Sequence, residues 1–117
     1  MALRTATAED WTRLTGLKVP AHWIGLVYEE DGEALGIGGL FEGADGRWWA
    51  AVKANARRPV ALWRAAHEVL DVARVVGVAV CALPDPRIDG ALSFLERLGF
   101  SATDETIEGH RILIWTP

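Results

Sequence analysis

The alternation of apolar and polar positions divides the chain into ten short segments. "LRTA" at 3–6 reads as an opening strand. "TAEDWTRL" follows as a helix, with Thr7 as N-cap, Asp10 closing an approximate capping box, and acids in the first turn. Gly16 and Pro20 bound it. "HWIGLVYEEDGEALGIGGLFE" holds two strands joined at Asp31-Gly32, a dipeptide that accepts the left-handed backbone of a two-residue hairpin. "GADG" at 43–46 marks the next turn and "RWWAAVKA" at 47–54 the next strand, completing a three-strand antiparallel meander.

Beyond a short loop the period changes from two to about three and a half. Pro59 suits the first position of a helix, where its missing N–H is no loss. Leu62, Ala66, Val69, Ala73 and Val76 then form one apolar stripe, and Gly77 stops the helix. "VAVCAL" at 78–83 is wholly apolar, as expected of a strand covered on both faces. Asp89 is predicted to cap a further helix with Ala91, Phe94, Leu95 and Leu98 on one side and Gly99 at its end. Strands at 100–107 and 110–116, turning at Glu108-Gly109, close the chain.

The predicted order is β-α-β-β-β-α-β-α-β-β. The strand–helix–strand unit at 48–83 demands a parallel pair with a right-handed crossover, while the remaining neighbours are antiparallel. The expectation is therefore α/β: one domain over 1–117, with a mixed central sheet and helices on both faces.

Composition narrows the function classes. At 117 residues, half of them apolar and about a quarter charged, the chain suits one globular domain with one core. No apolar run approaches the ~20 residues of a membrane span, and the N-terminus leads into no signal-peptide core. A single cysteine, Cys81, permits no internal disulfide, which suits a cytoplasmic or virion-associated setting. Cys81 lies in an apolar run, where it reads as a small buried residue rather than a nucleophile. The net charge of −4 argues against nucleic acid as a partner. Residues 1–46 carry three basic and eight acidic side chains, 47–74 six and two, and 75–117 three and six. Only the middle third is positive, and it contains the junction "VKANARRPVALWRAA" at 52–66.

A strand running through a short loop into a helix is a common anion site, because free N–H groups and the helix dipole supply positive potential. The element order and "GALSFLERLGF" at 90–100 give this junction a context. That segment resembles the late helix of the GNAT (Gcn5-related N-acetyltransferase) superfamily, commonly A-x-x-F-Y-x-x-x-G-F, with Ala91, Phe94, Gly99 and Phe100 in the matching positions. The chain is also similar to the short, divergent GNAT-like proteins of tailed phages. The resemblance implies acetyl-CoA between the two parallel strands, with pantetheine on the backbone of Ala51, Val52 and Lys53 and the pyrophosphate near Arg57 and Arg58.

The sequence departs from the family pattern at four places. Val60 and Leu62 stand where the family's loop, Q/R-x-x-G-x-G/A, has small residues, and Pro59 removes one N–H. Leu95 replaces the tyrosine that in many members protonates the leaving thiolate. No glutamate stands early in the fourth strand, where Asp45 reads as a turn former. "TGLKVPA" is too short for the family's second early helix. His22, His67 and His110 lack partners at metal-ligand spacing, and no Walker loop or nucleophile elbow occurs.

Two functions follow. One is an N-acetyltransferase acting on an amine, with acetyl-CoA held at a degenerate site. The other is a non-catalytic, GNAT-derived protein-interaction module, for example a phage virion or assembly protein. Six tryptophans supply anchors for the second. Trp48 and Trp49 are adjacent in one strand and must face opposite ways. Either both are buried, or one is exposed beside Arg57 and Arg58 as a protein contact.

Overall fold

The computed structural model describes residues 2–54, 59–86 and 89–117, and all their side chains except those of 2, 52–54 and 59–62. The elements are β1 (Ala2–Thr5), α1 (Ala8–Thr15), β2 (Trp23–Glu30), β3 (Glu33–Glu42), β4 (Trp48–Ala54), α2 (Pro59–Val76), β5 (Val80–Ala82), α3 (Ala91–Leu98), β6 (Ser101–Ile107) and β7 (His110–Trp115). The predicted order is the observed one. The strands form one sheet in the order β1-β2-β3-β4-β5-β7-β6. β4 and β5 pair in parallel and every other neighbouring pair is antiparallel.

The turns form for the expected reasons. Asp31 and Gly32 have φ of 53° and 77°, and Glu108 and Gly109 have 51° and 81°, the left-handed pair of a tight hairpin. Between β2 and β3 the backbones approach so closely that a Cβ on Gly39 would meet the carbonyl oxygen of Ile24.

α1 is fastened by the predicted capping box. Thr7 Oγ1 accepts from the Asp10 N–H at 3.2 Å, and the Thr7 N–H donates to Asp10 Oδ2 at 2.8 Å. Asp10 is 5% exposed, and Arg4 of β1 reaches it with two hydrogen bonds of 2.7 and 3.1 Å. Arg4 Nε lies 3.0 Å from Glu29 of β2, so one guanidinium joins β1, α1 and β2. Arg4, aided by the Thr7 N–H, holds the Asp10 carboxyl well below the usual carboxylate range.

Helices cover both faces. α2 and α3 lie on one, where Leu40, Val69, Leu70, Ala73, Val80, Leu98, Leu113 and Trp115 make the larger core. α1 lies on the other, with Trp11, Val27 and Ile37. Among the described residues no helix is long and apolar enough to cross a membrane.

Four sequence expectations need correction. Val76 is 64% exposed and Val75 more so, which puts the last half-turn of α2 off the sheet; Ala65 and Leu70 are buried instead. Of 78–83 only Val80–Ala82 is strand. The cap of α3 is Gly90, in the left-handed conformation with no side-chain bond, so Asp89 is not the cap. Leu95 is only half-buried, whereas Leu98 is buried as expected.

Two measurements check this account. Leu98→Ala should cost roughly 2–5 kcal/mol in denaturant unfolding, because the core around it relaxes only partly, while Val76→Ala should cost less than about 0.5 kcal/mol. Asp10→Asn should cost roughly 1–3 kcal/mol at neutral pH by removing charged hydrogen bonds to Arg4 and Thr7. A carboxyl whose folded pKa is depressed stabilises the fold above its unfolded pKa, here 3.8, and loses that contribution as pH falls toward the folded value. The wild-type advantage over Asp10→Asn should therefore be full above about pH 5 and shrink as pH falls below 4.

Candidate functional site

β4 and β5 are paired at only two positions, Trp48 with Val80 and Trp49 with Cys81. The cause lies in "CALPDP" at 81–86: Pro84 and Pro86 have no N–H to give to a ladder, so β5 cannot continue. β4 runs on to Ala54, still paired to β3 from Leu40–Ala50 through Gly36–Ala54. From Ala50 onward its other edge has no paired strand among the described residues. Alternate residues of such an edge direct N–H and C=O groups outward.

A cleft of about 310 Å³ opens beside that edge. Ala50, Ala82, Leu83, Phe94 and Leu95 make apolar walls, and Asp85, Asp89 and Gly90 lie along the loop that enters α3. The side chains of Ala50 and Ala82 are small, which leaves room between the diverging strands. Such a cleft suits an extended amide-bearing chain with an apolar tip. Main-chain hydrogen bonds would run along the strand edge and hydrocarbon would fill the end.

The sequence-predicted residues fall unevenly about it. Ala51, Val52 and Lys53 lie in β4, opposite Gly39, Gly38 and Ile37, on the strand whose Ala50 walls the cleft. The Ala51 side chain faces the other way, into a cavity of about 390 Å³ walled by Trp11, Leu17, Pro20, Ile37 and Phe41. Arg57 and Arg58 lie outside the described residues. Leu95, in the position of the family's tyrosine, lines the cleft with a side chain that cannot donate a proton.

Asp45 is at the opposite end of β4. It accepts from the Arg47 N–H at 3.0 Å and from Arg47 Nε at 2.6 Å. Arg47 holds its pKa below the ordinary value, which suits a turn former and makes it a poor base. Arg47 also reaches Glu105 of β6 at 2.8 Å and lies 5.3 Å from the Trp49 ring centroid. Cys81 is buried beneath, its pKa raised by desolvation, as an inert core thiol requires.

Trp48 packs into the larger core and Trp49 lies on the opposite face, as adjacency demands; both are half-buried. His67 is exposed with its ring 4.6 Å from that of Trp63. No group of three metal-ligating side chains occurs among the described residues. Ala50, Ala82, Leu83 and Asp85 were not singled out from sequence. The signal available for them was the pair of small residues on the two parallel strands, followed by Pro84.

No protein-family model and no curated protein matches the chain. Solved structures do. An N-acetyltransferase from Staphylococcus aureus Mu50 is similar with a TM-score of 0.74 at 12% identity, covering 98% of this chain and 96% of that one. An acyl-CoA N-acyltransferase from Pseudomonas aeruginosa gives 0.69 at 16%, over 97% and 99%. The GNAT domain of S. lividans PAT gives 0.71 at 17%, over 96% of this chain and 70% of that one. The chain has the GNAT fold, that of the acyl-CoA N-acyltransferases.

Proposed function

We propose that this chain takes the acyl-pantetheine arm of an acyl-CoA into the cleft between β4 and β5 and passes the acyl group, acetyl in the simplest case, to an amine. The observation that carries the reading is the early end of the β4–β5 ladder beside an apolar cleft at the strand edge. Acyl-CoA supplies an activated thioester; the chain supplies position. The edge of β4 from Ala50 to Ala54 would hold the pantetheine amides, and Ala50, Ala82 and Leu95 would enclose the acyl end. The amine nitrogen attacks the thioester carbon, a C–N bond forms, the C–S bond breaks, and the sulfur leaves as thiolate. With Leu95 where a phenol would stand, α3 offers no proton to that sulfur, so water receives the amine's proton and supplies the thiol's. Catalysis would rest on proximity and be slow.

We place the degeneracy at the pyrophosphate end. Val60, Leu62 and Pro59 replace the small residues and the N–H that bring a backbone close to phosphate, and Arg57 and Arg58 restore charge without that geometry. The lack of a proton donor on α3 also favours a second reading, a non-catalytic protein-interaction module of cytoplasm or virion that uses Trp48 or Trp49 with Arg57 and Arg58.

Thiol release from acetyl-CoA with a panel of primary amines separates the two. The expected result is slow turnover that rises at least roughly tenfold in Leu95→Tyr, since a positioned general acid contributes about 10²–10⁴-fold. Absence of turnover in both proteins, with acetyl-CoA bound and the fold intact, would contradict the enzyme and leave the interaction module.

A further inference from the structure

The second cavity, of about 390 Å³, lies on the α1 face of β4 and has no part in holding the acyl-CoA. Its volume falls within the roughly 300–1,000 Å³ of small-molecule sites. Trp11 of α1, Ile37 and Phe41 of β3, and Ala51 of β4 meet Leu17 and Pro20 of the loop after α1 around it. Trp11 and Ile37 are buried while Leu17 is 61% exposed, so the space runs from a closed apolar floor to an open rim.

The polar atoms around it are already engaged with one another. Thr15 Oγ1 donates to the Trp11 carbonyl at 2.6 Å and accepts from the Leu17 N–H at 3.1 Å. Trp11 Nε1 donates to the Lys18 carbonyl at 3.2 Å. What is left for a ligand is hydrocarbon, aromatic surface and one charge, the exposed Lys18 ammonium. Among the described residues no carboxylate or imidazole lines the cavity. A polycation therefore finds no counter-charge there, whereas an apolar body bearing one carboxylate does. Residues 1–46 carry eight acids against three bases, so Lys18 selects at contact distance and not through a broad field.

We propose that the amine acylated by this chain is the α-amine of an apolar amino acid or of a short peptide that begins with one. Its side chain fills the space between Trp11 and Ala51, and Lys18 takes its carboxylate. The inference rests on the acyl-CoA reading of the cleft and names the class of amine that reading leaves open. Ala51 walls the cavity and its neighbour Ala50 walls the cleft, so the two spaces border one strand from opposite faces. Past Trp49 no strand among the described residues pairs with the far edge of β4, and the amine can reach round that edge. The basicity of the amine favours the same class. With no base in the cavity, only nitrogen that is already neutral attacks. At about pH 7.5 that is roughly a quarter of a peptide α-amine of pKa ~8, and about one in a thousand of a lysine-type amine of pKa ~10.4. The C–N bond then forms, the C–S bond breaks, water takes the amine's proton, and the thiolate takes one from water.

Calorimetry on the full chain with leucylglycine, leucine, leucinamide, spermidine and acetyl-CoA tests this, followed by thiol release from acetyl-CoA with each amine. Leucylglycine and leucine should bind, leucinamide should bind roughly three- to fivefold more weakly than leucine, the size of one exposed ion pair, and spermidine should not bind. Lys18→Glu alters an exposed side chain and should reverse the preference for leucine over leucinamide. In turnover it should raise the KM for leucylglycine and leave kcat little changed, the mark of a lost binding contact. Leucylglycine should be acylated faster than leucine, whose amine is more basic; the reverse order would make the free amino acid the acceptor. Acetyl-CoA bound while leucine and leucinamide bind equally, spermidine binds, no amine binds, or Lys18→Glu has no effect would overturn the acceptor class and leave the cleft. Failure of acetyl-CoA itself to bind would overturn both.

Discussion

The parallel ladder between β4 and β5 ends after Trp49 and Cys81 because Pro84 and Pro86 follow so soon. Up to that point the two strands share one core, with Val80 and Ala82 under α2 and α3 and Cys81 buried on the other face. Beyond it β4 continues for five residues with no paired strand on that side among the described residues. A strand edge inside a protein is normally paired or covered, since unpaired N–H and C=O groups are costly away from water. Here the edge borders a cleft, and the chain's chemistry is read from what that edge and its apolar walls can hold.

The other end of the sheet is made rigid by different means. The Arg4–Asp10–Glu29 cluster ties three elements through one guanidinium, and the tryptophan cluster of α1 fills the face behind β2 and β3. Arg47 bridges the start of β4 to β6 across β5 and β7, above Cys81. These contacts fix the two halves of the sheet around the short ladder, so its opening is a feature of a braced structure. A cleft of this kind positions a substrate better than a mobile one, because the strands need not be ordered on binding.

Much of the fold could be read from the chain. Asp31-Gly32, Glu108-Gly109 and Thr7 with Asp10 each act within four residues, and local signals of that kind survive folding. The stripe on α2, whose Leu62 side chain lies outside the described residues, was legible from Ala66 through Ala73 and failed at Val76, because periodicity does not reveal where a helix runs off its sheet. Asp89 has the chemistry of a cap, but the left-handed Gly90 took the position. The site was less legible. The family resemblance pointed to the backbone of Ala51–Lys53, whereas the walls of the cleft come from segments some thirty and more positions apart. Nothing local joins Ala50 to Ala82. Leu95 was noted as a missing acid, and the structure adds that it lines the cleft.

The central claim is that the free edge of β4 receives an extended ligand. Amide hydrogen exchange, followed residue by residue with and without saturating acetyl-CoA, tests it most directly. The account predicts slower exchange at alternate amides between Ala50 and Ala54, those directed away from β3, with little change along β6. Bound acetyl-CoA that leaves all of these amides unprotected, or protects a different strand, would contradict it.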